Sequence, residues 1–409
     1  MSDEIINQIS ELIDISDSQV ERFKKHLKRS RRPFQPISLK TKLSDQEIAM
    51  IEVRRHELVG VEVQAELARF YPLNASTSHS LGYVGRINEK DLTLIDEQNY
   101  SGTNYIGKLG LEKFYEDELH GTVGFQTVET NASNRVLRVL EKQNPIPGND
   151  LILYFDAELQ KKAESLLGDR RGAIVAIEPR TGGLLAVVSM PSFDPNSFVT
   201  GIDYKSYGEL RDSLDLPLFN RALKGQYPPG STFKIINGLI GLQEKVLWTS
   251  TEYDCAGAYY SGRMRVGCHI HRSPLDLIES VQMSCNTYYC NVFRSILDNK
   301  KYPSIRESFD KWREYVMSFG FGQYLNSDFS NELKGLVPTK QTYDRVYGEK
   351  GWRSLTLVSM AIGQGELGTT PLQMANMTAA IANRGYYYTP HIVKEIEGDF
   401  SLDDRFNQK

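Results

Sequence analysis

Apolar residues recur with helical spacing at the start of the chain, at Ile5, Ile6, Ile9, Leu12 and Ile13, and predict an amphipathic helix. Next come the basic run KKHLKRSRR, from Lys24 to Arg32, and a Pro-punctuated extended stretch. A run this short reads as the solvated end of a helix. In SDQEIAMIEVRRHEL, Ser44 precedes Glu47 by three positions ahead of an apolar series, the capping-box pattern of a helix start. The texture changes near residue 148. PGNDLILYFDAELQKKAESLLG predicts a strand and then a helix with Asp156 as N-cap, an apolar face of Leu159, Ala163 and Leu166, and Gly168 as its stop. Two β-rich runs, Ala173 to Ile177 and Leu184 to Val188, flank a Pro/Gly turn and predict an antiparallel hairpin.

Helical patterns dominate the rest. Phe233 through Leu242 is largely apolar and predicts a mostly buried helix, and Leu372, Ala375, Ala379 and Ala382 predict a second one ended by Gly385. No internal repeat or low-complexity tract interrupts the pattern. The expected class is α+β: an irregular first domain over residues 1–147, followed by an antiparallel sheet with helices over 148–409.

Composition narrows the function classes. A chain of 409 residues, 40% of them hydrophobic, has enough apolar surface for more than one core. Its 48 Lys+Arg against 52 Asp+Glu, a net charge of -4, provides no basic field for nucleic acid. No window of about 18 apolar residues predicts a membrane span. The opening MSDEIINQISELIDIS is acidic where an export signal has a basic residue and an apolar run, so neither span nor signal is expected within the sequence. The four cysteines, Cys255, Cys268, Cys285 and Cys290, cluster with His269 and His271. That cluster suits disulfides in an oxidising compartment or a metal, and composition leaves both open.

The sharpest chemical signal is FNRALKGQYPPGSTFKIINGLIGL, residues 219 to 242. Pro228, Pro229 and Gly230 make a rigid entry, after which Ser231 opens a helix at the positive end of its dipole. Lys234 follows one turn on, on the same face. A serine so placed suits a nucleophile, and a lysine whose pKa burial depresses suits its base. A bare S-x-x-K occurs by chance about once or twice in a chain of this length, so context decides. The context is SVQMSCNTYYC, in which Ser284 and Asn286 offer a hydroxyl to relay protons and an amide to hold a peptide group.

PPGSTFK and SCNT, at this separation and behind a strand, helix and hairpin, resemble the penicillin-binding and serine β-lactamase superfamily. GYVGRI, GKLGLEKFYEDELHG, GNDLILYFDAELQ, PLFNRALKGQYPPGSTFK and AIGQGELGTTPLQMANMTAAIANRG are similar, in order, to the class B penicillin-binding proteins, and most of all to their cell-elongation branch. The resemblance runs from about residue 50 to the end of the chain. It implies a transpeptidase domain behind a pedestal domain. It also implies a D,D-transpeptidase that cross-links peptidoglycan stem peptides ending in D-alanyl-D-alanine, with Ser231 as acyl-enzyme nucleophile, Lys234 as its base, Ser284 as proton relay and Asn286 on the substrate amide. β-Lactams would acylate the same serine. The pedestal would contact a membrane glycan polymerase and scaffold proteins of the elongation machinery, at the periplasmic face of the bacterial inner membrane. A pedestal acting mainly as a binding scaffold is the reading from another class. A hydrolytic β-lactamase or carboxypeptidase is disfavoured, because GLEKFYEDELHG is not usual in those enzymes.

The sequence also departs from the family. Its third motif, Lys-Thr-Gly or Lys-Ser-Gly, is not found; the nearest imitation, Arg180-Thr181-Gly182, lies before Ser231 and reads as a hairpin turn. The family's membrane anchor is not found either, so the expectation is a piece of a longer anchored protein, with weak or no turnover for want of a second oxyanion donor. Cys255, Cys268, His271 and Cys285, with gaps of x12, x2 and x13, suit structural zinc, and their placement resembles a site in some family members. The zinc would brace the second motif from behind if Cys285 faces away from the cleft. A Cys255–Cys268 disulfide and unligated thiols are the rivals, His269 and Asp254 are alternative ligands, and Cys290 is expected to be packing. No organic cofactor is expected.

Overall fold

Ser44 accepts the N–H of Glu47 and the Glu47 carboxylate accepts that of Ser44, so the helix Asp45–Val53 starts where the sequence placed it. Its Ile51 meets Ile9 and Ile13, in and just beyond the helix Ser2–Ser10, in a small apolar core with Leu58. The computed structural model describes residues 2–29, 37–96, 98–100, 102–130, 136–398 and 402–408. Within the basic run, Lys24, Lys25 and Lys28 lie exposed at the end of the helix Asp17–Arg29, while Ser30, Arg31 and Arg32 and the extended stretch to residue 36 lie outside the described residues. No described helix is long and apolar enough to cross a membrane.

Short ladders complete the N-terminal part: Tyr83–Arg86 pairs antiparallel with Tyr105–Leu109, and Phe125–Thr130 with Val136–Gln143. GLEKFYEDELHG folds as two helical turns, Gly110–Phe114 and Glu116–His120, broken at Tyr115. Leu111 and Tyr115 are buried in a core that also holds Leu184, Val187, Ile392 and Val393, so this segment ties the two halves of the chain together. The tie is polar as well. Tyr115 donates to Asp328 Oδ2 at 3.3 Å, and the same carboxylate takes the N–H groups of Ile392 and Val393 at 2.9 and 3.0 Å. Ile392 precedes and Val393 opens the strand Val393–Ile396, which pairs antiparallel with Leu151–Leu153.

The predicted hairpin is present as Gly172–Ile177 against Leu184–Met190, with Arg180, Thr181 and Gly182 in its turn and Gly182 at φ 81. Before it, the helix Ala157–Leu167 is capped by Asp156 and stopped at Gly168, as expected, but its buried face differs. Leu159 and Leu166 are exposed at 38% and 59%, and Gln160 is buried beside Ala163. The reason is a hydrogen bond: Gln160 Oε1 accepts from Val187 N at 2.9 Å, while Nε2 donates to Val187 O and Ser76 O. The helix Pro371–Ala382 is turned in the same way. Leu372 and Ala379 are buried as predicted, but Ala375 is half-buried and Ala382 exposed, and Gln373 and Asn376 take the inward places. Their amides satisfy the carbonyls of Gly320, Gln323, Lys334 and Phe319. The architecture is α+β, helices around short antiparallel ladders. Its largest core packs the helix Lys234–Gln243 against Asn286–Leu297 through Ile236, Ile240, Tyr288, Tyr289 and Phe293.

Candidate functional site

Pro228 and Pro229 lead into Gly230, whose φ of 62 suits glycine and whose N–H reaches Gly363 O at 2.8 Å. From there Gly230–Phe233 winds as a 3-10 turn into the helix Lys234–Gln243. Phe233 is fully buried against Trp312 and Phe321 and anchors the turn, which leaves Ser231 exposed at its start. Ser231 Oγ makes no hydrogen bond among the described residues.

Lys234 is buried one turn on. Its Nζ donates to Ser284 O at 2.6 Å, Ser284 Oγ at 3.0 Å and Asn286 Oδ1 at 2.6 Å, so three of the four candidate residues form one hydrogen-bonded set, and the fourth, Ser231, is exposed one turn before Lys234. All three acceptors are neutral. Burial without a carboxylate partner holds the Lys234 pKa below the ordinary lysine value, against the opposing pull of the nearby cysteine sulfurs. That is the direction a lysine needs to accept a proton near neutral pH.

The second motif is held in an uncommon shape. Ser284 adopts φ 48, left-handed for a residue with a Cβ, between the bonds Ser284 N to Val281 O and Cys285 N to Ser280 O. Cys285 is the N-cap of the helix Asn286–Leu297, its Sγ accepting from Tyr288 N at 3.3 Å, and it is 1% exposed. Its side chain therefore points into the body while Ser284 and Asn286 meet Lys234. Asn286 is braced further by Nδ2 to Gly267 O at 2.7 Å and by its N–H to Cys268 Sγ at 3.3 Å.

Behind this motif the ligand atoms of Cys255, Cys268, His271 and Cys285 all lie within 4.8 Å of one another. Cys268 Sγ is 3.5 Å from His271 Nε2 and 3.9 Å from Cys285 Sγ. His271 Nδ1 meets Arg272 O at 2.6 Å, which makes Nδ1 the protonated nitrogen and turns the Nε2 lone pair towards the sulfurs. Three thiols, one oriented imidazole and N–H groups on two of the sulfurs fit a tetrahedral cation with thiolate ligands. His269 and Asp254 are outside the cluster: His269 stacks edge-on to His271, and Asp254 faces Ser273. All four cysteines are free, with no Cys255–Cys268 bridge, and Cys290 is fully buried in the core. As a free thiol, Cys285 is pushed up to about 12 by burial.

Sequence reading missed two contributors. Gly363 packs backbone to backbone on Gly230, since a Cβ there would lie 2.1 Å from Gly230 O. Asn237, one turn past Lys234, is fully buried and bonded at three points. The available signal for Asn237 was a lone amide among apolar residues. Beside the turn, a cavity of about 370 Å³ is lined by Tyr227, Pro229, Thr232, Thr369, Met374 and Thr378 among others.

Comparison with known proteins covers both parts of the chain. A model of the penicillin-binding protein transpeptidase domain matches residues 172–409, and one of the penicillin-binding protein dimerisation domain matches 1–153. The peptidoglycan D,D-transpeptidase MrdA of Acinetobacter baumannii is 39% identical over 400 residues, 97% of this chain and 58% of that relative's length. The chain thus spans a little under two thirds of the curated relatives it matches. Among solved structures, Pseudomonas aeruginosa PBP2 in complex with WCK 5153 superposes with a TM-score of 0.70 at 38% identity, over 84% of this chain and 70% of that one. Helicobacter pylori PBP2 in complex with MreC superposes with a TM-score of 0.79 at 26% identity, over 100% of this chain and 75% of that one. The transpeptidase match runs through Ser231, Lys234, Ser284 and Asn286 and the turn that exposes the serine, and it covers more than half of the sequence: the chain belongs to the penicillin-binding protein transpeptidase family.

Proposed function

We propose that the chain is the pedestal and much of the catalytic domain of a peptidoglycan D,D-transpeptidase that cross-links stem peptides during cell elongation and so maintains cell shape. The observation that carries this reading is the exposed Ser231 one turn before a buried lysine whose three donors meet Ser284 and Asn286. Once Lys234 has given up one of those three protons it is a neutral amine with two N–H donors left for the second motif, and its freed lone pair takes the Ser231 proton as Oγ attacks the carbonyl carbon of the penultimate D-alanine. The Ser231 N–H steadies the developing oxyanion. Ser284 passes a proton to the leaving amine as the peptide bond to the last D-alanine breaks, and Asn286 holds the donor's amide. An amine of a neighbouring stem peptide then attacks the ester, closing the cross-link and returning the proton and a free Ser231.

The site of action is the periplasmic face of the inner membrane. Partners are sought on the pedestal: a scaffold of the MreC kind, since a relative of 26% identity is solved with MreC, and a membrane glycan polymerase. Zinc is the cation proposed for Cys255, Cys268, His271 and Cys285, in a structural role supported by the donor set and by the tautomer of His271. When bound, it would neutralise the thiolates and fix Cys285, leaving the chemistry to the residues in front.

Intact-mass spectrometry before and after benzylpenicillin tests the first proposal. An adduct mapped to Ser231 and missing in Ser231→Ala is expected; an adduct that maps to another residue, or that persists in Ser231→Ala, overturns the nucleophile. Native mass spectrometry tests the second: one zinc, removed by chelator and absent from Cys285→Ser, is expected, and a loss of two hydrogens with no metal would replace it with a disulfide.

A further inference from the structure

The helix behind Ser231 carries one buried polar group that the chemistry above leaves unused. Asn237 is 0% exposed on a helix whose neighbouring inward residues are Phe233, Ile236 and Ile240. Each hydrogen-bonding arm is engaged: Nδ2 donates to Met360 O at 3.2 Å and Ala361 O at 3.1 Å, and Oδ1 accepts from Trp312 Nε1 at 2.8 Å. The two carbonyls lie at the end of the 3-10 run Ser354–Ile362, which stops at Gly363 in the left-handed region. Gly363 O in turn accepts the N–H of Gly230, the residue before Ser231.

These bonds close a ring. It passes from Gly230 through Ser231 and Lys234 to Asn237, across to Met360 and Ala361, along the chain to Gly363 and back to Gly230. Gly363 has no room for a Cβ, so the two backbones are already in contact and a shift of one moves the other. An apolar side chain of similar size would fill the space at residue 237 equally well, but it would leave both carbonyls and the Trp312 N–H without that partner. Shape alone therefore does not explain an amide here.

We propose that Asn237 is a positioning residue for acyl transfer: by gripping the Met360 and Ala361 carbonyls it seats Gly363 against Gly230 and fixes where Ser231 Oγ stands relative to Lys234. The inference rests on the reading of Ser231 as nucleophile. It does not place Asn237 in contact with substrate; Asn237 acts through the backbone of Gly363.

The test uses the full chain and a dye-labelled penicillin, and separates the saturating acylation rate from the affinity of the complex that precedes it. Asn237→Leu is expected to lower that rate by about tenfold to a hundredfold, the scale of a misplacement near 1 Å, with affinity little changed. Hydrogen exchange at the peptide containing Gly230 should quicken in the same variant. Trp312→Phe supplies the stability control, because it removes the bond to Oδ1 and leaves the grip on Met360 and Ala361; it should unfold more easily yet keep its acylation rate within about twofold. If Asn237→Leu does not fold, Asn237→Asp, which keeps an acceptor for Trp312 and has no donor for the carbonyls, is measured in its place with the same expectation. An unchanged rate and unchanged exchange at Gly230 in a folded variant overturn the inference, and so does a rate that falls equally in Trp312→Phe. A wild-type chain labelled at a residue other than Ser231 overturns the nucleophile reading and this inference with it, an outcome distinct from a wild type labelled at Ser231 with an equally fast variant.

Discussion

Asp328 is fully buried and makes no ion pair among the described residues. Its oxygens accept Ile392 N, Val393 N and Tyr115 OH, so one carboxylate joins the GLEKFYEDELHG segment to the strand that pairs with Leu151–Leu153. Burial is the larger influence and pushes its pKa from 3.8 up to about 6, although the hydrogen bonds pull the other way. A raised folded pKa means that protonation favours the fold. The contribution is complete below about 3.8 and is lost as pH rises through about 6, a span worth about 3 kcal/mol at about 1.4 kcal/mol per unit. Urea unfolding of wild type and Asp328→Asn reads it directly, because asparagine does not titrate and the remaining carboxylates cancel in the difference. The stability of wild type relative to the variant is expected to fall by about 2 kcal/mol between about pH 4.5 and about pH 7.5, most of it below pH 6.5. A difference that is flat, or that grows with pH, would show that the N–H groups of Ile392 and Val393 outweigh burial and keep Asp328 ionised throughout.

Two further outcomes follow from the same structure. Because burial lowers the Lys234 pKa, the acylation rate of Ser231 should rise with pH and level off below the ordinary lysine value of 10.5; a plateau at or above it would remove Lys234 as the proton acceptor. Gln160→Leu orphans the Val187 N–H and weakens the satisfaction of Val187 O and Ser76 O, and is expected to cost about 2–4 kcal/mol in urea unfolding; a loss under about 0.5 kcal/mol would mean that water replaces the amide.

The errors at Gln160, Gln373 and Asn376 share a cause. Sequence periodicity counts transfer of apolar surface, so it put Leu159, Leu166 and Ala382 inward. The fold instead turns those helices until an amide meets a backbone carbonyl or N–H left open far along the chain, as Gln373 does across 53 residues to Gly320. An open carbonyl leaves no mark in the sequence, whereas a cap is local. That is why Ser44, Asp156 and the hairpin turn at Gly182 were legible, and the buried amides, Asn237 included, were not. The sulfur cluster is a partial exception: the sequence reading named His271 with His269 as its alternative, and the folded loop places His271 among the sulfurs and, through Nδ1 to Arg272 O, sets the tautomer that no spacing shows.

These bonds also join the front of the site to its back. Ser284 holds a left-handed backbone that costs on the order of 1 kcal/mol for a residue with a Cβ, so surrounding bonds must over-determine it. In front, Lys234 grips its carbonyl and hydroxyl. Behind, Cys285 caps the following helix through sulfur, and Cys268 receives the N–H of Asn286. Rotating Cys285 out of the cluster would break that cap and remove a constraint on the turn that directs Ser284 and Asn286 at Lys234. The order of the sulfur cluster and the aim of the Ser284 hydroxyl are therefore properties of one turn, and a change to either is felt at the other.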